Sequence, residues 1–247
     1  MRAYADSHIG FLRGENQDVC RLTEVSGGIL ALVLDGMGGT AGGRIAAEVA
    51  ASTFAEHFAA ICEEKKGERA FTPADIRRFF SHAVYHANTA VFERSVTVPD
   101  LQGMGTTISA AYLTPGRVYI ANIGDSRVYL LRGAEILRLT RDDSYVQEMI
   151  DSGNMTEEEA RKSNHRNLIT RAVGTAPYVD FHFVEHTIQK GDRILLTSDG
   201  FTGYYTDEEI AQLACEHTEP KALVKACLAG ACARGGADNI TAAVMEI

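Results

Sequence analysis

The chain has 247 residues, 45% of them hydrophobic, and a formal net charge of -9. The length permits one large domain or two small ones, and with only 5 Pro, no Pro-, Ser- or Gly-rich linker and no internal repeat, a single domain over residues 1–247 is expected. The acidity argues against a nucleic-acid backbone as the main partner, because phosphate binding needs clustered Lys and Arg that the sequence does not show.

The first residues lack a basic stretch followed by an apolar core and a cleavage site, and no apolar run looks long enough to cross a membrane, so a cytoplasmic location without a membrane partner is expected. Cys20, Cys62, Cys215, Cys227 and Cys232 are odd in number and form no Cys-x-x-Cys pair, which fits reduced thiols acting as small hydrophobes.

An apolar run from Ile29 to Leu34 reads as a strand covered on both faces and closes on Asp35-Gly36. Residues 42–65 read as a long amphipathic helix with Ile45, Val49, Phe54, Phe58 and Ile61 on one face. A second helix begins after Thr72, with Pro73 in its first turn and Asp75 at the capping-box position, and runs toward Val96. From Gly105 the pattern changes to strands at 106–113, 117–123, 127–131 and 135–139, read as a meander. Residues 142–171 are polar, with a short helix capped by Thr156 and Glu159, and are expected to form a surface flap over about 144–170. Strands follow at 178–187 and 193–198, then a helix capped by Thr206 and Glu209, a helix at 221–234 and a last strand from Ile240. Strands and helices in blocks, rather than alternating, indicate an α+β fold with antiparallel sheets.

Asp35, Asp125, Asp199 and Asp238 share a strand-terminus setting. An acid emerging half-desolvated from a buried strand costs several kcal/mol unless a cation compensates it. In an antiparallel pair the end of one strand lies beside the start of the next, so Asp199 and Asp238 are placed to share one rim. Convergent carboxylates without His or Cys favour hard cations, Mg²⁺ or Mn²⁺, over zinc. Taken singly, an Asp-Gly after a strand is more often a turn than a ligand; four such acids together favour the metal reading. The glycines at 36, 38, 39, 42 and 43 permit tight turns before a helix, and without a following Lys-Ser or Lys-Thr they do not form a Walker loop. The eight His, including His57, His82, His86 and His165, show no pair at ligand spacing with an adjacent catalytic acid and read as surface or packing residues.

Arg13-Gly14-Glu15-Asn16-Gln17-Asp18, Asp35-Gly36-Met37-Gly38-Gly39, Gly103-Met104-Gly105-Thr106-Thr107, Gly124-Asp125-Ser126-Arg127, Ser198-Asp199-Gly200 and Asp238-Asn239-Ile240-Thr241 follow one another in this order. Together they resemble the bacterial protein phosphatase 2C family over nearly the whole chain. The resemblance implies a four-layer α-β-β-α sandwich, two antiparallel sheets flanked by helix pairs, with a dinuclear Mn²⁺ or Mg²⁺ site at one end. It implies that Asp35 bridges two metals, that the Gly36 carbonyl ligates one, and that Asp199 and Asp238 complete the other. Asp18 would hold a metal-bound water, Asp125 with Asp199 a third, weaker metal, and Arg13 the substrate phosphate, its planar guanidinium taking two oxygens. Gln17 and Asn239 would support the ligands, Asn239 by orienting Asp238.

Several positions depart from the family pattern. Met37 stands where many eukaryotic members carry a His proposed as general acid. Gln17 replaces a Glu, an exchange expected to weaken the support of one metal. His8 and Asp143 stand where bacterial relatives usually have Asp and His. The implied function is a metal-dependent serine/threonine protein phosphatase that hydrolyses phosphoprotein monoesters with a metal-activated water and opposes a bacterial serine/threonine kinase. The alternatives are a catalytically weak phosphoprotein-binding module on the same fold and another metal-dependent hydrolase such as a nuclease, for which the acidic composition is a poor match.

Overall fold

Leu30, Leu32 and Leu34 alternate with Ala31 and Val33 along one strand, and all five are fully buried, so both faces of that strand are covered. The computed structural model describes residues 1–67 and 71–247. In chain order the elements are β1 (Arg2–His8), β2 (Val19–Val25), β3 (Gly28–Leu34), β4 (Gly36–Met37), α1 (Gly39–Glu64), α2 (Pro73–Thr97), β5 (Gly105–Thr106) and β6 (Ile108–Thr114). They continue with β7 (Arg117–Ile123), β8 (Arg127–Arg132), β9 (Glu135–Arg138), α3 (Tyr145–Asp151), α4 (Glu157–Lys162) and β10 (His182–Thr187). The last are β11 (Arg193–Thr197), α5 (Asp199–Thr202), α6 (Asp207–Glu216), α7 (Pro220–Ala233) and β12 (Ile240–Glu246).

Two antiparallel sheets form, in the orders β1-β12-β11-β8-β9 and β10-β7-β6-β3-β2, and β4 pairs separately with β5. Ala31, Val33, Ile120, Val128, Leu196 and Ala243 pack between the sheets. The outer face of the β3 sheet packs under α1 and α2 through Leu32, Phe54, Phe58, Phe80 and Tyr112. That of the β12 sheet packs under α5, α6 and α7 through Leu195, Phe201, Ile210, Val224 and Val244. The result is the four-layer sandwich implied by the resemblance.

The local details refine the sequence reading. Thr72 and Asp75 make the expected reciprocal cap of α2, and the same arrangement opens α4 at Thr156 and α6 at Thr206. The buried stripe of α1 is Ala46, Ala47, Ala50, Ala51, Phe54 and Phe58, while Ile45, Val49 and Ile61 lie at its margin. Small side chains there let α1 lie close to its neighbours. The expectation that no apolar run approaches membrane-spanning length needs correction, because residues Gly42–Glu64 are long and apolar enough by composition; in the fold this stretch is a core helix.

The predicted meander is also corrected. β6 and β7 pair in one sheet and β8 and β9 in the other, so the chain changes sheets at Gly124-Asp125-Ser126. Only His182–Thr187 of the predicted 178–187 strand pairs, from His182 opposite Asn122 to Thr187 opposite Arg117. β1, β2 and α3 lay outside the elements read from sequence. The cysteines are all free, but only Cys62 and Cys227 are buried; Cys20 and Cys232 are half-buried and Cys215 is exposed.

Candidate metal centre

β11 pairs antiparallel with β12, and the Ser198 amide continues the ladder by donating to the Thr241 carbonyl at 3.1 Å. Asp199, just past β11, and Asp238, just before β12, therefore lie at the same rim, as the strand arithmetic predicts. Asp35 leaves β3 in the facing sheet, and its position is fixed by three hydrogen bonds. Its amide donates to Thr107 Oγ1 at 2.9 Å, and its carbonyl accepts from the Thr107 amide at 2.9 Å and from Thr106 Oγ1 at 2.9 Å. Thr107 Oγ1 also lies 2.9 Å from Ser126 Oγ, linking the Asp35 loop to the segment that carries Asp125. Gly124 has φ +95°, and a Cβ there would come within 2.6 Å of the Thr107 side chain, so the change of sheets beside Asp125 requires glycine.

Arg13, Gln17, Asp35, Gly36, Asp125, Asp199, Asp238 and Asn239 line one cleft of about 850 Å³, together with Met37 and Thr107. Asn167 and Ile169, from the end of the flap, close one side. The flap is pinned at its base by a bridge between Ser144 and Ile169, and Ala160 is the buried side chain of its helices, in keeping with a surface position. Asp18 lies behind the cleft wall, where its Oδ2 accepts from Ser198 Oγ at 2.7 Å.

The electrostatics of this group are those of acids crowded without enough cations. Burial pushes the Asp18 carboxyl up to about 7, with Asp199 and Asp238 adding repulsion. Burial also raises Asp35 and Asp125 well above the ordinary carboxylate range, reinforced by the other acids of the cluster. Asp199 is raised by burial and by repulsion from Asp238. Asp18 Oδ1 and Asp199 Oδ1 are buried with no hydrogen-bond partner among the described residues. Buried oxygens left unpaired are costly, and a donor set made of carboxylate oxygens suits a hard divalent cation. The residues present therefore fit the metals that the resemblance implies.

The loop that carries Arg13 is held by Asn239. Its Oδ1 accepts from the Gln17 amide at 2.8 Å, its Nδ2 donates to the carbonyls of Ile9 and Glu15 at 2.8 and 3.0 Å, and its own amide donates to Asp238 Oδ1 at 2.8 Å. Asn239 thus orients Asp238, and it anchors the substrate-side loop as well. Gln17 Nε2 donates to the Gly39 carbonyl at 2.9 Å, a bond that the carboxylate of a Glu could not make. Gly36 packs so closely that a Cβ would sit 2.1 Å from the Gly43 carbonyl oxygen. Arg13 donates to Asp238 Oδ2 at 2.7 Å, so the side chain expected on the substrate phosphate engages an acid that the resemblance makes a metal ligand.

The other departures acquire physical accounts. His8 Nδ1 accepts from the Gly10 amide at 2.9 Å and lies 3.3 Å from Cys232 Sγ, bracing the start of the Arg13 loop. Asp143 accepts from the Gly124 amide at 3.1 Å, from Arg171 Nη1 at 3.0 Å and from His182 Nε2 at 2.8 Å, clamping the Asp125 turn to the flap base. Ser198 and Thr107 are site residues to which the sequence reading gave no role, although both stood inside the quoted motifs. His82 and His86, read from sequence as surface or packing residues, lie one turn apart on α2, and His57 of α1 joins them.

A family model for protein phosphatase 2C matches residues 13–227. The chain belongs to the protein phosphatase 2C family. Among its relatives is the serine/threonine protein phosphatase PstP of Mycobacterium tuberculosis, 33% identical over 250 residues; the match covers 100% of this chain but 45% of the relative, so the chain spans about half of that protein's length. Two solved protein phosphatase 2C relatives share the architecture. The S. agalactiae serine/threonine phosphatase superposes with a TM-score of 0.89 at 30% identity, covering 98% of each chain. The catalytic domain of PstP in complex with two manganese ions gives a TM-score of 0.82 at 31% identity, covering 99% of this chain and 97% of that one.

Proposed function

We propose that this chain is a metal-dependent serine/threonine protein phosphatase that removes phosphate from phosphoserine and phosphothreonine side chains of proteins. The observation that carries this reading is the cluster of buried carboxyls at the sheet rim whose charge the surrounding side chains leave uncompensated. Two Mn²⁺ or Mg²⁺ ions would be held by Asp35, the Gly36 carbonyl, Asp199 and Asp238, with Asp18 behind them and Asp125 with Asp199 offering a third, weaker site. Bound there, the cations supply offset of phosphate charge and a water acidic enough at neutral pH to act as nucleophile.

The chain's own residues do the rest. Burial and repulsion from neighbouring acids raise the Asp35 and Asp199 carboxyls, so cations held there would compete with protons for the same oxygens. Arg13 and a cation compete for the Asp238 carboxylate, which links metal loading to the freedom of the guanidinium to take two phosphate oxygens. Met37 lines the cleft with a thioether that has no proton to give, so protonation of the leaving serine or threonine falls to solvent. Asn167 and Ile169 of the flap line the cleft, which would give the flap a part in substrate choice. The opposing enzyme would be a bacterial serine/threonine kinase, and the setting the cytoplasm.

The test is release of inorganic phosphate from phosphoserine and phosphothreonine peptides, measured with Mn²⁺ and with chelator. Metal-dependent release is expected; no release at saturating Mn²⁺ refutes the activity.

A further inference from the structure

The paired helices α1 and α2 carry a second set of metal-binding side chains that the phosphatase chemistry does not use. His82 and His86 are four residues apart on α2 and so project from one face. His57 meets them from α1, and one ring nitrogen of each of the three lies within 4.8 Å of the others. The Nε2 atoms of His82 and His86 are 3.2 Å apart. The His57 ring stacks on that of His86 with centroids 3.9 Å apart and planes within 5°, and its centroid lies 5.3 Å from that of His82.

We infer that His57, His82 and His86 form a binding site for a transition-metal cation of the zinc class, Zn²⁺, Ni²⁺ or Cu²⁺, that staples α1 to α2. Imidazole nitrogens suit these ions, whereas Mg²⁺ and Mn²⁺ prefer carboxylate and water oxygens, so the chain offers two sites of opposite selectivity. A tetrahedral zinc with nitrogens at about 2.0–2.1 Å sets its ligands roughly 3.3–3.4 Å apart, close to the spacing His82 and His86 already hold. His57 must swing inward. His82 is exposed and His57 and His86 are half-buried, so the side chains have room to turn and the ion has a path from solvent.

Burial, together with His57 and His82, pushes the His86 pKa down, favouring the neutral imidazole that binds metal. Three protein ligands leave a fourth position for water or a small donor. The site is remote from the carboxylates: His57 lies 18 residues beyond Gly39, where α1 leaves the cleft, which is about 27 Å along the helix.

The experiment is equilibrium dialysis against Zn²⁺ with the carboxylate centre already saturated by Mn²⁺, on the full chain and on His82→Gln and His57→Gln. The parent protein is expected to retain one zinc more per chain than either variant, or to bind it at least about 10-fold more tightly. Zn²⁺ is expected to raise the melting temperature of the parent and not of the variants, since a staple joins two helices. Circular dichroism verifies that the variants fold, which the exposure of His82 favours. Equal zinc stoichiometry and affinity in the parent and in a folded His82→Gln chain overturns the proposal, as does a parent that binds no zinc beyond the carboxylate centre.

Discussion

Two groups of buried and half-buried aspartates sit side by side in this molecule and have been treated in opposite ways. Asp142 and Asp143 are 5% and 3% exposed, no more open to water than Asp18 and Asp125 at 6% and 8%. Asp142 nevertheless receives Arg127 through Nε and Nη2, the latter at 2.8 Å, and Arg138 at 2.5 Å, while Asp143 receives Arg171, His182 and a backbone amide. In the neighbouring cluster of Asp18, Asp35, Asp125 and Asp199, repulsion replaces pairing, and among the described residues Asp18 Oδ1 and Asp199 Oδ1 accept no hydrogen bond. Burial alone therefore does not mark a functional acid. What separates the two groups is whether the protein supplies the cation, and where it does not, the cation must come from outside.

The strongest way to break this comparison is to neutralise one acid in each group. Asp35→Asn or Asp199→Asn is expected to lower Mn²⁺-dependent phosphate release by more than about 10²-fold, beyond the usual cost of losing one electrostatic contact in an active site. In chelator, the same variants should melt at a higher temperature than the parent, because each removes an ionisable carboxyl that burial and its acidic neighbours disfavour, at constant volume. Asp142→Asn should do the reverse, leaving Arg127 and Arg138 short of an anion and destabilising the chain by roughly 3 kcal/mol in denaturant titrations. If both kinds of variant shifted stability in the same direction, the distinction between the groups would fail.

A smaller effect sharpens the comparison through pH. The Asp18 carboxyl has a usual value of 3.8 and is raised to about 7 by burial. An acid whose pKa rises on folding binds its proton more tightly in the native state, so the metal-free protein should lose stability as pH climbs from about 4 to about 7 and level off above that. Saturating Mn²⁺ should abolish this decline by supplying the missing positive charge. Melting curves in chelator that stay flat across that interval would count against a cluster that needs external cations.

Much of this was legible in the residues. The doubly buried β3, the capped helices at Thr72, Thr156 and Thr206, and the adjacency of Asp199 and Asp238 follow from short-range rules of alternation, capping and antiparallel pairing. The meander failed because alternation shows that a strand is half or fully buried but does not say which sheet it joins, and the change of sheets at Gly124 is set by packing against Thr107. The pairing of Arg13 with Asp238 across 225 positions, and the double duty of Asn239, had no local signal. Ser198 and Thr107 stood inside recognisable motifs, yet their work is to orient acids contributed by distant segments.

The sequence by itself determined which stretches become strands and helices and which acids end buried strands, because those properties depend on neighbours within a turn or two of chain. Tertiary structure alone decided which acids go without a protein cation, which arginines are already committed, and that His57 meets His82 and His86. Charge compensation and metal coordination depend on distance in space, and chain separation does not encode it.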